Sequence, residues 1–205
     1  MKFKELLIKI MRISLIPSIE WKVIKNEQET PRELMWNFGF PIILFSAIGH
    51  TFGFFFEKKP VFGFSFELVL LLIINLFSWV LIPYLLLILA AFVLYYTLPK
   101  LGIETDYLRI LKLVVYTFTP LFIVTFFVYF HPLLLSLIPI GIYIFIAYTF
   151  YVFWYGVQEL FDISLEKKLR FIIVTVAVGF ATIFLIQHIY NIFIEWVVEW
   201  LVRFV

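Results

Sequence analysis

Sixteen Lys and Arg residues punctuate a chain otherwise divided into five long apolar segments, and they fall almost entirely on one side of those segments. The segments run over 35–56, 68–98, 110–130, 133–157 and 171–193. Each is long enough for a helix to cross a hydrocarbon core of ~30 Å, which takes about 20 residues. If all five cross, Lys2, Lys4, Lys9, Arg12, Lys22, Lys25, Arg32, Lys100, Arg109, Lys112, Lys167, Lys168 and Arg170 share one side. Only Lys58, Lys59 and Arg203 lie opposite. The positive-inside rule then predicts a multi-pass protein of the cell membrane with a cytoplasmic N-terminus and an outer C-terminus.

The segment at 68–98 makes about 46 Å of helix and tests this reading. Split at Pro83, it gives two passes of ~22 Å, too short for the bilayer. Splitting also moves the later loops across and leaves equal numbers of basic residues on both faces. One long span, kinked near Pro83, is therefore expected.

The predicted fold is all-α: a polytopic integral membrane protein with five transmembrane helices and amphipathic interfacial helices at both ends. Residues 1–34 form the cytoplasmic amphipathic segment, 35–193 the membrane domain and 191–205 an outer amphipathic helix. At 15% charged residues, the chain is far from a soluble domain, for which about 25% is usual. Lys9 and Arg12 interrupt the apolar residues of 1–16, and no small-residue cleavage site follows. The first span, not a signal peptide, is expected to act as the address.

Lys2, Glu5, Lys9 and Arg12 recur at helical spacing opposite Phe3, Leu6, Leu7, Ile10 and Met11. That pattern suits a helix at an anionic headgroup boundary, with Lys2, Lys9 and Arg12 as lipid contacts, or one packed on the protein's own cytoplasmic face. Pro17 ends it. Thr30-Pro31-Arg32-Glu33 supplies an N-cap, a Pro at the first helical position and a carboxylate at the third, a helix start. Pro41 should bend the first span. Ser46, Gly49 and Gly53 put small residues on one face, for packing within the monomer or between two copies. A turn is expected at His131-Pro132, the end of span four at Tyr155 and Gly156, and an Asp162 or Ser164 cap on span five. Beyond His188, Asn191, Glu195, Glu199 and Arg203 share a face away from Trp196 and Trp200, whose rings favour the interface.

Candidate chemistry is sparse. His50, His131 and His188 lie at comparable outer depth, but their spacing fits no metal motif, and structural hydrogen bonding or a proton role remain. Asn75 and Ser78 can bond across helices. There is no Cys, no Gly-rich phosphate loop, no His-Glu-x-x-His helix and no nucleophile elbow. No enzyme activity, cofactor, metal or nucleic-acid site is expected.

Four stretches together resemble the Yip domain family, five-span proteins named for interacting with Ypt/Rab GTPases in eukaryotes and found also in bacteria and archaea. They are Pro17-Ser18-Ile19-Glu20-Trp21-Lys22-Val23-Ile24; Pro41 with its apolar run; Leu111 to Pro120, similar to the family's Tyr…Pro signature at Tyr116 and Pro120; and Tyr155-Gly156-Val157-Gln158-Glu159-Leu160-Phe161-Asp162-Ile163-Ser164, followed by Lys167. The resemblance covers 15–190 and implies trafficking or membrane-shaping roles. The chain lacks the long N-terminal region and Asp-Leu-x-Gly-Pro motif of eukaryotic members, so small-GTPase binding is not expected.

The function expected is organisation of membrane lipids or of an integral membrane partner, a second copy included. The alternative is a lipid or small-solute translocator with a groove between Pro-kinked spans. Tyr116, Pro120, Asn75, His50 and Pro41 are the candidate groove residues.

Overall fold

Start and stop signals along the chain mark where its helices begin and end. The computed structural model describes residues 3–130, 138–161 and 163–202. Among these every regular element is helical. Two short helices come first, α1 (Phe3–Leu15) and α2 (Pro17–Asn26). Thr30 opens α3 (Pro31–Leu34) with the expected capping box. Its hydroxyl accepts from the Glu33 N–H at 3.2 Å, and the Glu33 carboxylate accepts from the Thr30 N–H at 2.7 Å.

The helix then widens into a π turn over Met35–Gly39 and continues as α4 (Phe40–Phe62). Pro41 explains the widening, because its ring crowds the turn before it and it has no N–H to donate. The Phe40 N–H reaches Met35 O, one residue further than in an α-helix, and this loosens the crowded turn. Ser65 caps α5 (Phe66–Thr97), accepting from the Leu68 N–H at 3.3 Å. As expected, α5 is one helix that runs through Pro83.

A 3-10 turn at Leu98–Leu101 and a left-handed Gly102 (φ 71°) end that rod. Asp106 then starts α6 (Tyr107–Phe130) by accepting from the Arg109 N–H at 2.9 Å. Helices α7 (Ile138–Leu160) and α8 (Leu165–Val202) complete the chain. Among the described residues, Pro31–Pro60, Phe66–Leu101, Tyr107–Val128 and Glu166–Trp200 are long and apolar enough to cross a membrane. The expected span at 133–157 coincides with α7 from Ile138 onward. Lys2, the His131-Pro132 turn, Asp162 and Arg203 lie outside the described residues. The chain is an all-α polytopic membrane protein.

Helices α4, α5 and α6 pack on one another; α7 packs on α6, α8 on α5, and α2 on α7. The structure bears on three expectations. Around the expected end of span four, helix α7 runs past Gly156 to Leu160. Residues 191–202 are not a separate surface helix, because α8 runs unbroken for 38 residues. Asn191, Glu195 and Glu199 lie on its open side, while Tyr190, Ile194 and Val197 pack with Ala47, Phe54, Leu71 and Trp79. Of the two readings of the N-terminal helix, packing on the protein itself is the one seen, for Leu6 and Ile13, with Trp21 and Ile24, belong to the main core.

Close approach of α4 to α6 depends on Gly49. A Cβ there would sit 2.5 Å from Phe126 Cα and 2.6 Å from Phe126 O, both backbone atoms that cannot swing aside. At Gly179 in α8 a Cβ meets nothing within 4 Å. Gly49→Ala should therefore destabilise the bundle by about 1–3 kcal/mol. Gly179→Ala should be neutral or stabilising, by up to ~1 kcal/mol from helix propensity. Thermal unfolding of the two variants in one detergent checks both signs.

Candidate functional site

Three of the four signature stretches, together with Phe38 just before the fourth, meet at one junction on the face that carries α1 and α2. Helix α2 presents Pro17, Glu20, Trp21 and Ile24 inward at i, i+3, i+4 and i+7 spacing, all buried. Trp21 is fully buried, and its indole N–H donates to Val152 O in α7 at 2.9 Å. The ring lies over Gly156, where a Cβ would come within 2.7 Å of Trp21 Cζ2 and of Leu113 Cδ1. Tyr116 in α6 meets Trp21 edge-on at 5.8 Å, and Phe38, from the π turn before Pro41, at 4.4 Å. Tyr116 is wholly buried and its hydroxyl has no partner. Pro120 sits one turn further along α6, and Thr119 beside it donates to Val115 O at 3.1 Å.

Charge holds the junction closed. Lys112 in α6 is only 3% exposed. Its ammonium donates to Ile24 O at 2.8 Å and Glu27 O at 2.7 Å and lies 3.8 Å from the Glu29 carboxylate. These carbonyls are at the C-terminal end of α2, where unpaired acceptors and the helix dipole favour a cation. Lys9, expected at the headgroups, turns inward instead. It donates to the Glu27 carboxylate, stands 4.8 Å above the Tyr116 ring, and its side chain is 12% exposed. Tyr148 OH donates to Ser14 O at 2.6 Å, and Lys25 pairs with Glu159 at 3.5 Å. Burial raises the Glu29 pKa from its ordinary value, with Lys9 and Lys112 opposing. Burial also raises Glu20, against Arg12 and Lys9, and one of its oxygens has no partner.

The remaining candidates gather at the far end of the bundle. His50 is buried and stacks on Trp79 at 3.9 Å, with Tyr190 edge-on at 4.9 Å. Its Nδ1 is 3.5 Å from Asn75 Oδ1, which also accepts from Thr51 at 2.9 Å. The Asn75 amide donates to Tyr190 OH. Ser46 accepts from the Trp79 indole at 3.3 Å. A cavity of about 520 Å³ opens beside this cluster, lined by His50, Gly53, Glu57, Gln187, Tyr190 and Asn191 among others. His188 is exposed, stacked on Phe184, and is not part of the cluster. No group of three His, Asp or Glu residues is placed to hold a metal among the described residues. Arg12, Trp196 and Trp200 are exposed on their helices. The predicted groove residues thus divide between two ends, Tyr116 and Pro41 at one and His50 and Asn75 at the other.

Comparison with protein families matches the Yip1 domain over residues 11–186, from α1 into α8. The chain belongs to the Yip1 domain family. No curated protein and no solved structure matches it. The matched range contains every residue of the Trp21–Tyr116–Gly156 junction, so the Yip1 domain here includes the docked helix α2 as well as the spans. The family is one of non-catalytic membrane proteins.

Reasoning on the sequence missed helix α2, the inward turn of Lys9 and Lys112, and the role of Gly156. The spacing of Pro17, Trp21 and Ile24 carried the signal for α2, but Glu20 on the same face disguised it.

Two outcomes are expected. Lys112→Met should free α2 and increase cleavage of residues 1–30 by added protease about tenfold, with the spans still protected. Glu20→Gln should raise the melting temperature by a few degrees at neutral pH, as removing an unpaired buried carboxylate does. The folded state binds this proton more tightly than the unfolded chain. Glu20 therefore detracts from stability as pH rises through its raised value, and the variant's advantage should vanish below the ordinary value of 4.5. Melting curves across pH test that sign.

Proposed function

We propose that this Yip1 domain protein is a non-enzymatic organiser of membrane lipids and membrane partners, acting through an N-terminal helical wedge fixed to the bundle. One observation supports it above others: α1 and α2 are clamped to the core on one side and leave a row of apolar side chains exposed on the other. Phe3, Leu7, Met11 and Leu15 follow one another at four-residue spacing on α1, and Ile19 and Val23 continue the exposed apolar surface on α2. Lys4, Arg12, Lys22 and Lys25 are exposed around it. Apolar residues bordered by cations suit the headgroup boundary of an anionic leaflet. With the basic residues cytoplasmic, the wedge enters the inner leaflet of the cell membrane, and the C-terminal end of α8 lies outside. Lipids are its first partners, and an integral membrane protein or a second copy is the second.

The translocator reading draws on the cavity of about 520 Å³ beside His50. At its deep end stand His50 and Tyr190, which are already engaged with Asn75 and Trp79. A clamped wedge needs no such opening, and the organising role comes first for that reason.

Reconstituted into liposomes with anionic lipid, the protein should deform them into tubules or small vesicles visible by electron microscopy. Leu7→Glu with Met11→Glu should reduce this several-fold while the melting temperature holds, since both side chains are exposed. Smooth, unchanged liposomes with the intact protein, and no stoichiometric membrane protein on gentle extraction, would overturn the organising role.

A further inference from the structure

Several Ser and Thr hydroxyls in the long helices bond back along their own helix. Ser78 donates to Ile74 O at 2.6 Å, Thr119 to Val115 O at 3.1 Å, Thr125 to Leu121 O at 2.8 Å and Thr182 to Val178 O at 2.8 Å. Each returns its proton to the carbonyl one turn back, as a hydroxyl in an apolar medium must when no other partner exists. Thr117 in α6 and Thr175 in α8 do not. Both are more than nine-tenths buried, and neither hydroxyl has a hydrogen-bond partner.

Both line one cavity of about 390 Å³, far in sequence from each other and on different helices. The cavity lies between the α5–α8 pair and the α6–α7 pair. Apart from Thr149, its remaining walls are aliphatic and aromatic, with no charged residue among them. Phe171, packed between Phe153 and Phe161, closes the bundle nearby. Phe150 and Phe180, about half exposed, stand where the cavity meets the lipid-facing surface. Gly179 lines it as well and leaves open space where a side chain would be.

We propose that this cavity is a binding site for a neutral lipid with an apolar chain and an uncharged oxygen, an alcohol or carbonyl, which hydrogen-bonds to Thr117 and Thr175. A volume of this size accepts a small lipid-like molecule. Apolar walls select the chain, and the two orphaned hydroxyls select the oxygen. The absence of a charged residue in the walls excludes a phosphate or carboxylate headgroup from the cavity itself. The site is separate from the N-terminal wedge and does not rest on the organising role.

The test uses the full chain in phosphatidylcholine vesicles with two photoactivatable probes of equal length, a long-chain diazirine alcohol and the matching diazirine alkane. In the unaltered protein the alcohol should label peptides of α6 and α8 several-fold more than the alkane. Thr117→Val with Thr175→Val, which conserves shape, should remove that preference and leave alkane labelling in place. Gly179→Leu, which grows into open space, should reduce labelling by both probes, and its melting temperature reports that the fold is intact. Equal labelling by the two probes in the unaltered protein would overturn the proposal, as would alcohol labelling that survives Gly179→Leu.

Discussion

The buried ammonium group of Lys112 ties the N-terminal region to the membrane bundle, alongside the Trp21 and Ser14 hydrogen bonds and the packing of Ile13 and Ile24. It is buried in α6 and bonded to the last carbonyls of α2. Burying a lysine is unfavourable unless its charge is matched and its protons are accepted. Here the end of a helix from elsewhere in the chain does both, with Glu29 adding a nearby negative charge. Once α2 is fixed, Glu27 is placed to receive Lys9, and Lys9 brings α1 over the Tyr116 ring.

The aromatic half of the junction supplies what charge cannot, a defined angle of approach. Trp21 enters only because residue 156 has no side chain, and its indole finds Val152 O across that gap. Tyr116 and Phe38 then close two sides of the ring system. Three short stretches spread over most of the chain, with Phe38 ahead of the fourth, are therefore one contact surface. The family match over residues 11–186 covers all of them.

Much of the fold was legible because periodic apolar length and capping chemistry are local. The capping box at Thr30, the single helix through Pro83 and the disturbance at Pro41 were readable from neighbouring residues alone. The junction was not, since no local pattern says which face a charge will meet. Lys112 beside Arg109 reads as one more basic residue at a span's edge, and Glu20 breaks the apolar stripe that would otherwise announce α2. The polar residues after His188 misled for a related reason: on a helix packed along one side, Asn191, Glu195 and Glu199 belong to its open face and do not mark its end. Of the candidate residues, His50 and Asn75 were paired as groove residues. Their convergence with Tyr190 required the packing of α8 on α5, which lies beyond sequence spacing.

The two ends of the bundle are thus built differently from its middle. At the face carrying α1 and α2, ion pairs and an indole bond fasten elements that composition alone would leave at the membrane surface. At the far end, His50, Asn75, Trp79 and Tyr190 join α4, α5 and α8 through neutral groups. Neutral bonds contribute modestly inside a membrane, so the stacking of His50 on Trp79 and the close approach at Gly49 must add to them. In the organising role proposed above, a wedge in one leaflet exerts force only if its base does not yield. Fastening α1 and α2 by buried charge, and tying the spans again at the opposite end, gives that base its stiffness. Beside the junction, where Leu113 lines both, the two helix pairs leave room for the apolar cavity with its two unpaired hydroxyls.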